Sequence, residues 1–157
     1  MFRGLYDTTI DSKGRTSMPA RFRESLGGQN GTVEPEEIPG GQSFVLTTGI
    51  DRCLVVYPTP EWSAFEDKLA SLSQFDPAVV QLKRIYVAGA IECTLDKHGR
   101  LMIPGMLREY AGIQRDVVWA GMVKTAEIWA KELWKLQAET SRVDKEGIAR
   151  ALTELGL

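Results

Sequence analysis

The feature of this sequence that most constrains its fold is a fifteen-residue segment that occurs twice. The first copy covers residues 10–24 and the second covers residues 95–109, an offset of 85 positions. Identical residues recur in register at six positions: Asp11/Asp96, Gly14/Gly99, Arg15/Arg100, Pro19/Pro104, Arg23/Arg108 and Glu24/Glu109. A match at this many positions indicates an internal duplication, so we expect two equivalent structural units.

Each copy contains an Asp-x-x-Gly-Arg sequence with the character of a tight turn. The Asp side chain can accept hydrogen bonds from backbone N–H groups two residues on, and Gly takes a positive φ without steric cost. Because β-forming residues flank both turns, we predict that each turn closes a β-hairpin. Two prolines and two glycines predict where a short helix then begins and ends: Pro19, Pro104, Gly27 and Gly112.

The similarity continues beyond this helix at a smaller offset of 72 positions, which places an acidic insertion at residues 28–42 of the first unit. A second hairpin and a following helix are predicted in both units. One unit is too thin to bury its own apolar face, so we expect the two to interleave as an α+β body. The predicted divisions are a first repeat (1–59), a helical hairpin connector (60–89), a second repeat (90–130) and a C-terminal helical segment (131–157).

Composition indicates an ordinary globular protein of the cytoplasm. The 157 residues are 43% apolar and 25% charged, and no apolar run is long enough to span a membrane. Cys53 and Cys93 are isolated within predicted strands, where buried free thiols are favoured over a disulfide. We therefore expect a reducing, cytoplasmic location and no membrane partner.

Basic charge gathers around the two turns although the whole chain has a net charge of −2. Residues 1–25 carry five basic and three acidic side chains, and residues 81–108 carry five basic and two acidic ones. Much of the acidic charge lies in the insertion and in the connector. This distribution is a modest positive footprint of the kind that nucleic-acid binding requires.

The sequence offers no pattern typical of an enzyme, a metal site or a cofactor site. His98 is the only histidine, so one chain cannot assemble a His-based metal cluster or a Ser-His-Asp triad. No phosphate-binding loop or dinucleotide motif occurs. The repeated Asp11 and Asp96 could suggest an aspartic-protease dyad, but the spacing to Gly is wrong for one. Both Asp residues are better interpreted as capping a turn. Gly14 and Gly99 support the same two turns.

Two interpretations of Arg15 and Arg100 remain open from spacing alone. A guanidinium on a protruding turn can donate to guanine O6 and N7 or to phosphate, or it can pair with the Asp of its own turn and lock it. The two interpretations are compatible with each other. The other basic candidates are Lys13 and Lys97 as phosphate contacts or solvated turn residues, Arg3 as a weaker contact, and Arg21, Arg23 and Arg108 as helix-surface charge. Trp62 and Trp134 are interpreted as core residues, not as platforms for bases.

The chain resembles the MraZ family. The resemblance rests on Met1-Phe2-Arg3-Gly4, the two Asp-x-x-x-Arg motifs and Tyr57-Pro58-x-Pro60-x-Trp62, and it covers about residues 1–135. It implies tandem SpoVT-AbrB-like swapped-hairpin repeats, interleaved into one β-barrel-like body with flanking helices. It implies a sequence-specific DNA-binding transcriptional regulator, mostly a repressor, at the promoter of the bacterial cell-division and cell-wall gene cluster. It also implies DNA contact by Arg15 and Arg100, and a nucleoid-associated ring of subunits on short direct repeats of double-stranded DNA.

The sequence also suggests two other functions. An oligomeric protein-interaction scaffold would use the acidic insertion and the apolar tail, with the basic turns incidental. An antitoxin would need a disordered toxin-wrapping tail, whereas the tail from Asp144 has Ile148, Leu152 and Leu155 at helical spacing. The sequence leaves open whether that tail packs on its own chain or on a neighbour.

Overall fold

The computed structural model describes residues 1–26 and 43–157 of the chain. The insertion predicted at 28–42 and the helix end predicted at Gly27 lie outside the described residues. The strands are β1 (Leu5–Thr9), β2 (Arg15–Ser17), β3 (Ser43–Thr48), β4 (Leu54–Pro58), β5 (Ile91–Thr94), β6 (Arg100–Met102), β7 (Asp116–Met122) and β8 (Thr125–Ala130). The helices are α1 (Ala20–Leu26), α2 (Thr59–Ala70), α3 (Pro77–Leu82), α4 (Gly105–Ala111), α5 (Lys131–Val143) and α6 (Lys145–Glu154), and a π-helix (Lys83–Val87) continues α3.

Six strands form one antiparallel sheet in the order β1-β7-β8-β4-β3-β5, while β2 and β6 form a separate two-stranded ribbon. The prediction of an α+β fold is confirmed. A β-barrel-like body was also expected. Across residues 1–26 and 43–157, however, the large sheet ends in the edge strands β1 and β5, and no closed barrel forms.

The two repeats share the large sheet by exchanging their opening strands. β1 of the first repeat pairs with β7 of the second, and β5 of the second pairs with β3 of the first. The hairpins β3–β4 and β7–β8 meet in the middle, where Leu54 lies opposite Ile128. Each repeat therefore completes the sheet of the other, as expected for units too thin to be stable alone.

The hairpin predicted around each Asp-x-x-Gly turn forms only at its tip. Ile10 and Thr16 make a single bridge, after which β2 leaves β1 and pairs with β6. The prediction of a full hairpin within one repeat was therefore wrong. The ribbon buries Thr16 opposite Leu101 against the core, and a strand of three residues gains more from that burial than from further pairing with its own repeat.

One apolar core joins both repeats beneath the ribbon and the sheet. Its largest fully buried side chains include Trp119, Phe22 and Phe44, and the Phe22 ring packs edge-on against Trp119. Trp62 and Trp129 are also buried, and Trp134 packs edge-on against Trp129. The prediction of core packing is therefore confirmed for Trp62, whereas Trp134 is half-buried and packs at the edge of the cluster that contains Trp129.

Helix α4 begins and ends at the residues predicted from the sequence. Pro104 precedes the first turn of the helix, and Gly112 ends it in the left-handed conformation with φ 64°. α1 likewise begins directly after Pro19. Cys53 is buried and Cys93 is half-buried, and both are free thiols, as predicted. Among the described residues no helix is both long enough and apolar enough to cross a membrane.

Candidate nucleic-acid interface

The first turn is held closed by one carboxylate. Asp11 Oδ1 accepts from the backbone N–H groups of Lys13 and Arg15, both at 2.9 Å. Its second oxygen, Oδ2, accepts from Nε of the Arg15 guanidinium at 2.8 Å. The backbone N–H of Gly14 donates to the Asp11 carbonyl at 3.0 Å. The turn is thus built entirely from residues at most four positions apart.

The second turn repeats this geometry. Asp96 Oδ1 accepts from the backbone N–H groups of His98 and Arg100 at 2.9 Å, and Oδ2 accepts from Arg100 Nε at 2.8 Å. The backbone N–H of Gly99 donates to the Asp96 carbonyl at 2.9 Å. Two turns with different residues at the second and third positions therefore reach one hydrogen-bonding pattern, which their shared Asp, Gly and Arg determine.

These hydrogen bonds stabilise both carboxylates in their ionised form. The backbone N–H of Arg15 is the largest cause of the lowered pKa of Asp11, and the Arg15 guanidinium and the Lys13 N–H act in the same direction. At Asp96 the backbone N–H of Arg100 leads, followed by its guanidinium and the His98 N–H, and the pKa falls to about 2. Both carboxylates are therefore charged at neutral pH and hold their Arg side chains through charge-assisted bonds.

Each turn is braced by the other repeat. The Gly14 carbonyl accepts from the backbone N–H of Ile103 at 2.8 Å, and the Gly99 carbonyl accepts from that of Met18 at 3.0 Å. Both glycines have a positive φ, 82° at Gly14 and 73° at Gly99, and both are buried. The two turns therefore sit at the two ends of the ribbon, each hydrogen-bonded to the other repeat.

The ribbon presents one outward face that carries both candidate arginines. Arg15 pairs with Met102 and Ser17 pairs with Arg100 across the strands. Thr16 and Leu101 between them are buried, so by strand alternation the other four side chains share the outer face. Arg15 and Arg100 are diagonal neighbours on this face, which separates their Cα atoms by roughly 7–8 Å.

The two guanidinium groups are anchored at one end and open at the other. Nε of each is bound to its Asp, while neither Nη1 nor Nη2 of Arg15 or Arg100 has a hydrogen-bond partner among residues 1–26 and 43–157. About a third of each side chain is exposed, 32% for Arg15 and 30% for Arg100. The two interpretations of these arginines are therefore compatible, because locking the turn also aims a free pair of donors outward.

Arg23 and Arg108 lie where sequence reasoning did not place them. Each was interpreted as helix-surface charge, but each reaches across to the turn of the other repeat. Arg108 Nε donates to the Ile103 carbonyl at 3.0 Å, and its guanidinium lies 3.1 Å from where a Cβ on Gly14 would stand. The Arg23 guanidinium contacts the corresponding position on Gly99. Four arginines therefore converge on the ribbon.

The remaining candidates are divided between two regions. Lys13 and Lys97 are exposed on the two turns next to the ribbon. Arg3 instead precedes β1, eight residues before Asp11, which along an extended strand is about 26 Å away. The structure therefore does not bring Arg3 together with the first turn.

Arg115 is a basic residue that sequence reasoning missed. It is exposed, and its carbonyl accepts from the backbone N–H of Ile10 at 2.8 Å, directly before the first turn. No spacing rule connects positions 10 and 115, since only the pairing of β1 with β7 brings them together.

No alternative chemistry is indicated at this surface. Within the described part of the chain, no group of three or more His, Cys, Asp or Glu side chains could hold a metal ion. The ion pairs Lys124–Glu61 and Lys131–Asp7 lie outside the ribbon and the two turns, at 3.4 and 3.3 Å. The ribbon is distinguished by the two guanidinium groups, of Arg15 and Arg100, on its outer face.

Comparison with known proteins identifies relatives over the full chain. The family model described as "MraZ protein, putative antitoxin-like" matches twice, over residues 1–85 and 86–154, which confirms the internal duplication. A protein named "Transcriptional regulator MraZ" from Caldanaerobacter subterraneus subsp. tengcongensis is 41% identical over 157 residues, covering all of both chains. Proteins of the same name from Thermoanaerobacter sp. and Lachnoclostridium phytofermentans are also 41% identical over 157 residues, covering all of this chain and 100% and 99% of theirs.

Proposed function

The chain belongs to the MraZ family, and from this membership and the ribbon geometry we propose that it is a sequence-specific, DNA-binding transcriptional regulator. Its curated relatives carry the name of a transcriptional regulator. The observation that carries the proposal is the shared outer face on which the Nη donors of Arg15 and Arg100 have no hydrogen-bond partner among the described residues. We also propose that the strand exchange between repeats is the swapped-hairpin arrangement of SpoVT-AbrB-like proteins, with repeats at 1–59 and 90–130.

The ribbon has the dimensions of a major-groove reader. The groove is about 12 Å wide and accepts a two-stranded β-ribbon. With Nε held by Asp, the two Nη groups of each arginine can donate to O6 and N7 of one guanine. The backbones of Arg15 and Arg100 are roughly 7–8 Å apart, and each guanidinium is held towards the Asp of its own turn, at opposite ends of the ribbon. We therefore expect two separate guanine contacts in each binding site.

The flanking charges would position the ribbon on the backbone. Lys13 and Lys97 stand on the turns at its two ends, where each can contact a phosphate. Arg23 and Arg108 add positive charge beside the turns, and Arg115 lies next to Ile10 directly before the first turn, whereas Arg3 lies far from that turn. The overall charge of −2 does not oppose this, because the potential at a surface depends on the nearby charges.

A single chain with two bases to read should bind weakly, so we propose that several copies act together. Subunits joined in a ring would engage short direct repeats in DNA, and the linked sites would gain roughly 10²–10⁴-fold in avidity. The proposed target is the promoter of the bacterial cell-division and cell-wall gene cluster, with repression as the main outcome. Such a regulator would work in the cytoplasm at the nucleoid.

The test begins with selection of binding duplexes from a random double-stranded DNA library by the native chain. Fluorescence anisotropy then measures affinity for a selected duplex at two salt concentrations. Native binding should weaken steeply with salt, because phosphate contacts release counterions. The double variant Arg15→Ala/Arg100→Ala should abolish binding without changing the oligomer mass measured by light scattering.

The matched control is Arg142→Ala, which removes the same charge from an exposed site on α5. It should retain native affinity. Native affinity in the double variant would refute the assignment of the two arginines. Self-association without any salt-dependent DNA binding would instead support the protein-interaction scaffold.

A further inference from the structure

The outer face of the ribbon is chemically different at its two ends. The strands β2 and β6 are antiparallel and equal in length, so an approximate two-fold axis relates one to the other. Arg15 and Arg100 occupy equivalent positions under this axis. Ser17 and Met102 are also equivalent, since the same offset of 85 positions separates them. The ribbon therefore carries two identical arginines but a serine at one end and a methionine at the other.

Met102 lies directly opposite Arg15 across the ribbon. The backbone hydrogen bond from Ile103 to the Gly14 carbonyl is one position further along the strands. By the alternation of an antiparallel pair, Arg15 and Met102 form a pair without hydrogen bonds, in which the Cα atoms are only about 4.5 Å apart. The Met102 side chain therefore lies beside that of Arg15, at the end of the ribbon next to the first turn.

The side chain of Met102 has no place in the core. It is 55% exposed, whereas its neighbour Leu101 is fully buried, and it belongs to neither apolar cluster of the described residues. A single exposed apolar side chain is common on protein surfaces, so exposure alone indicates no function. The informative feature is the position of Met102, on the outer face of the ribbon beside a guanidinium group.

We propose that Met102 contacts the C5-methyl group of a thymine next to the guanine that Arg15 contacts. That methyl is the apolar group that base edges present in the major groove, and a flexible thioether side chain packs well against it. The Ser17 hydroxyl can donate or accept a hydrogen bond and so discriminates less between bases. We expect no thymine preference beside the guanine contacted by Arg100.

This inference rests on the proposed DNA binding and adds a direction to each binding site. A protein surface with two-fold symmetry matches a palindromic site. The difference between Ser17 and Met102 breaks that symmetry, so the two halves of the site become unequal. Copies that bind successive sites would then all face the same way, as direct repeats require.

Replacement of thymine by deoxyuridine, which removes only the C5-methyl group, tests the contact. In duplexes selected by the native chain, each thymine is replaced in turn and affinity is measured by fluorescence anisotropy. One replacement should weaken native binding about fourfold, as expected for one methyl group that is no longer buried. Met102→Ala should bind the thymine and deoxyuridine duplexes equally. The control Met122→Ala, at an exposed position on β7, should keep the native ratio.

Guanine analogues locate the sensitive thymine within the site. Replacement of guanine by 7-deazaguanine removes the N7 acceptor that an arginine uses. For the guanine next to the sensitive thymine, this replacement should weaken binding by the native chain and by Arg100→Ala but not by Arg15→Ala. The opposite assignment, with the thymine beside the guanine contacted by Arg100, would overturn the proposal.

Ser17→Met tests whether a methionine is sufficient. Duplexes selected by this variant should carry a methyl-sensitive thymine beside both guanines. Circular dichroism melting should show native stability for Ser17→Met and Met102→Ala, because both side chains are exposed. The proposal is wrong if no thymine is methyl-sensitive in the native chain, or if the sensitivity persists in Met102→Ala.

Failure of this inference is distinguishable from failure of the proposed function. If the native chain binds selected duplexes through Arg15 and Arg100 without any effect of deoxyuridine, the thymine contact is wrong and the regulator stands. If the native chain binds no selected duplex, both proposals are wrong.

Discussion

The strongest structural prediction concerns the two turn glycines and the different neighbours that they face. Gly14, Gly99 and Gly112 all have a positive φ, between 64° and 82°. An alanine at any of them pays for the left-handed conformation, about 1–2 kcal/mol. What differs is the space into which the added Cβ would project, so the three substitutions form a matched series.

At Gly14 the Cβ would stand 2.9 Å from the Ile103 carbonyl oxygen and 3.1 Å from the Arg108 guanidinium. That carbonyl belongs to the backbone braced by the ribbon and cannot rotate away, so overpacking adds about 1–3 kcal/mol. At Gly112 the nearest atoms are side-chain ends, at 3.3 Å (Arg52) and 3.5 Å (Leu133). At Gly99 the obstacle is the Arg23 side chain, which can move.

We therefore expect the loss of unfolding free energy to follow the order Gly14→Ala, Gly99→Ala, Gly112→Ala. The expected magnitudes are about 2–4 kcal/mol for Gly14→Ala and about 1–2 kcal/mol for Gly112→Ala, with Gly99→Ala between them. Urea unfolding at one fixed protein concentration measures all three. A Gly14→Ala loss no larger than that of Gly112→Ala would refute the argument that the turn is braced by the opposite repeat.

Three further predictions follow from buried or charged groups. The Thr16 hydroxyl is buried and finds no hydrogen-bond partner among the described residues, so Thr16→Val should stabilise the fold by about 1 kcal/mol in urea unfolding. The control Thr47→Val should destabilise the fold, since the Thr47 hydroxyl donates to a carbonyl of the π-helix at 2.6 Å. Because the pKa of Asp96 is lowered to about 2, the contribution of this carboxylate to stability should be complete above pH 4 and lost as pH falls toward 2. Carbon NMR titration should place the midpoint of the Asp96 carboxyl near 2. A midpoint near 4 would contradict the turn geometry. Burial is the first cause of the raised pKa values of both thiols, about 12 at Cys53 and about 11 at Cys93. A thiol reagent at pH 8 should therefore label the folded chain far more slowly than the chain in urea. Equal labelling rates would contradict the burial of the thiols.

Local turn chemistry could be predicted from the sequence alone. The Asp-x-x-Gly-Arg pattern specifies hydrogen bonds between residues at most four positions apart, so five residues are enough to determine the conformation of each turn. The same holds for the end of α4 at Gly112, whose left-handed φ a glycine adopts without cost. The duplication itself, the free thiols and the buried Trp62 also followed from pattern.

The partner of each strand, and with it the composition of the candidate site, depended on tertiary structure. A duplicated sequence offers every strand two nearly identical partners, so local pattern cannot decide between β2 with β1 and β2 with β6. Burial of Thr16 and Leu101 against a shared core decides it. That choice places Arg15 and Arg100 on one face, and the shared fold brings Arg23, Arg108 and Arg115 close to the two turns. Side chains distant in sequence become neighbours in this way only when the two repeats fold as one body.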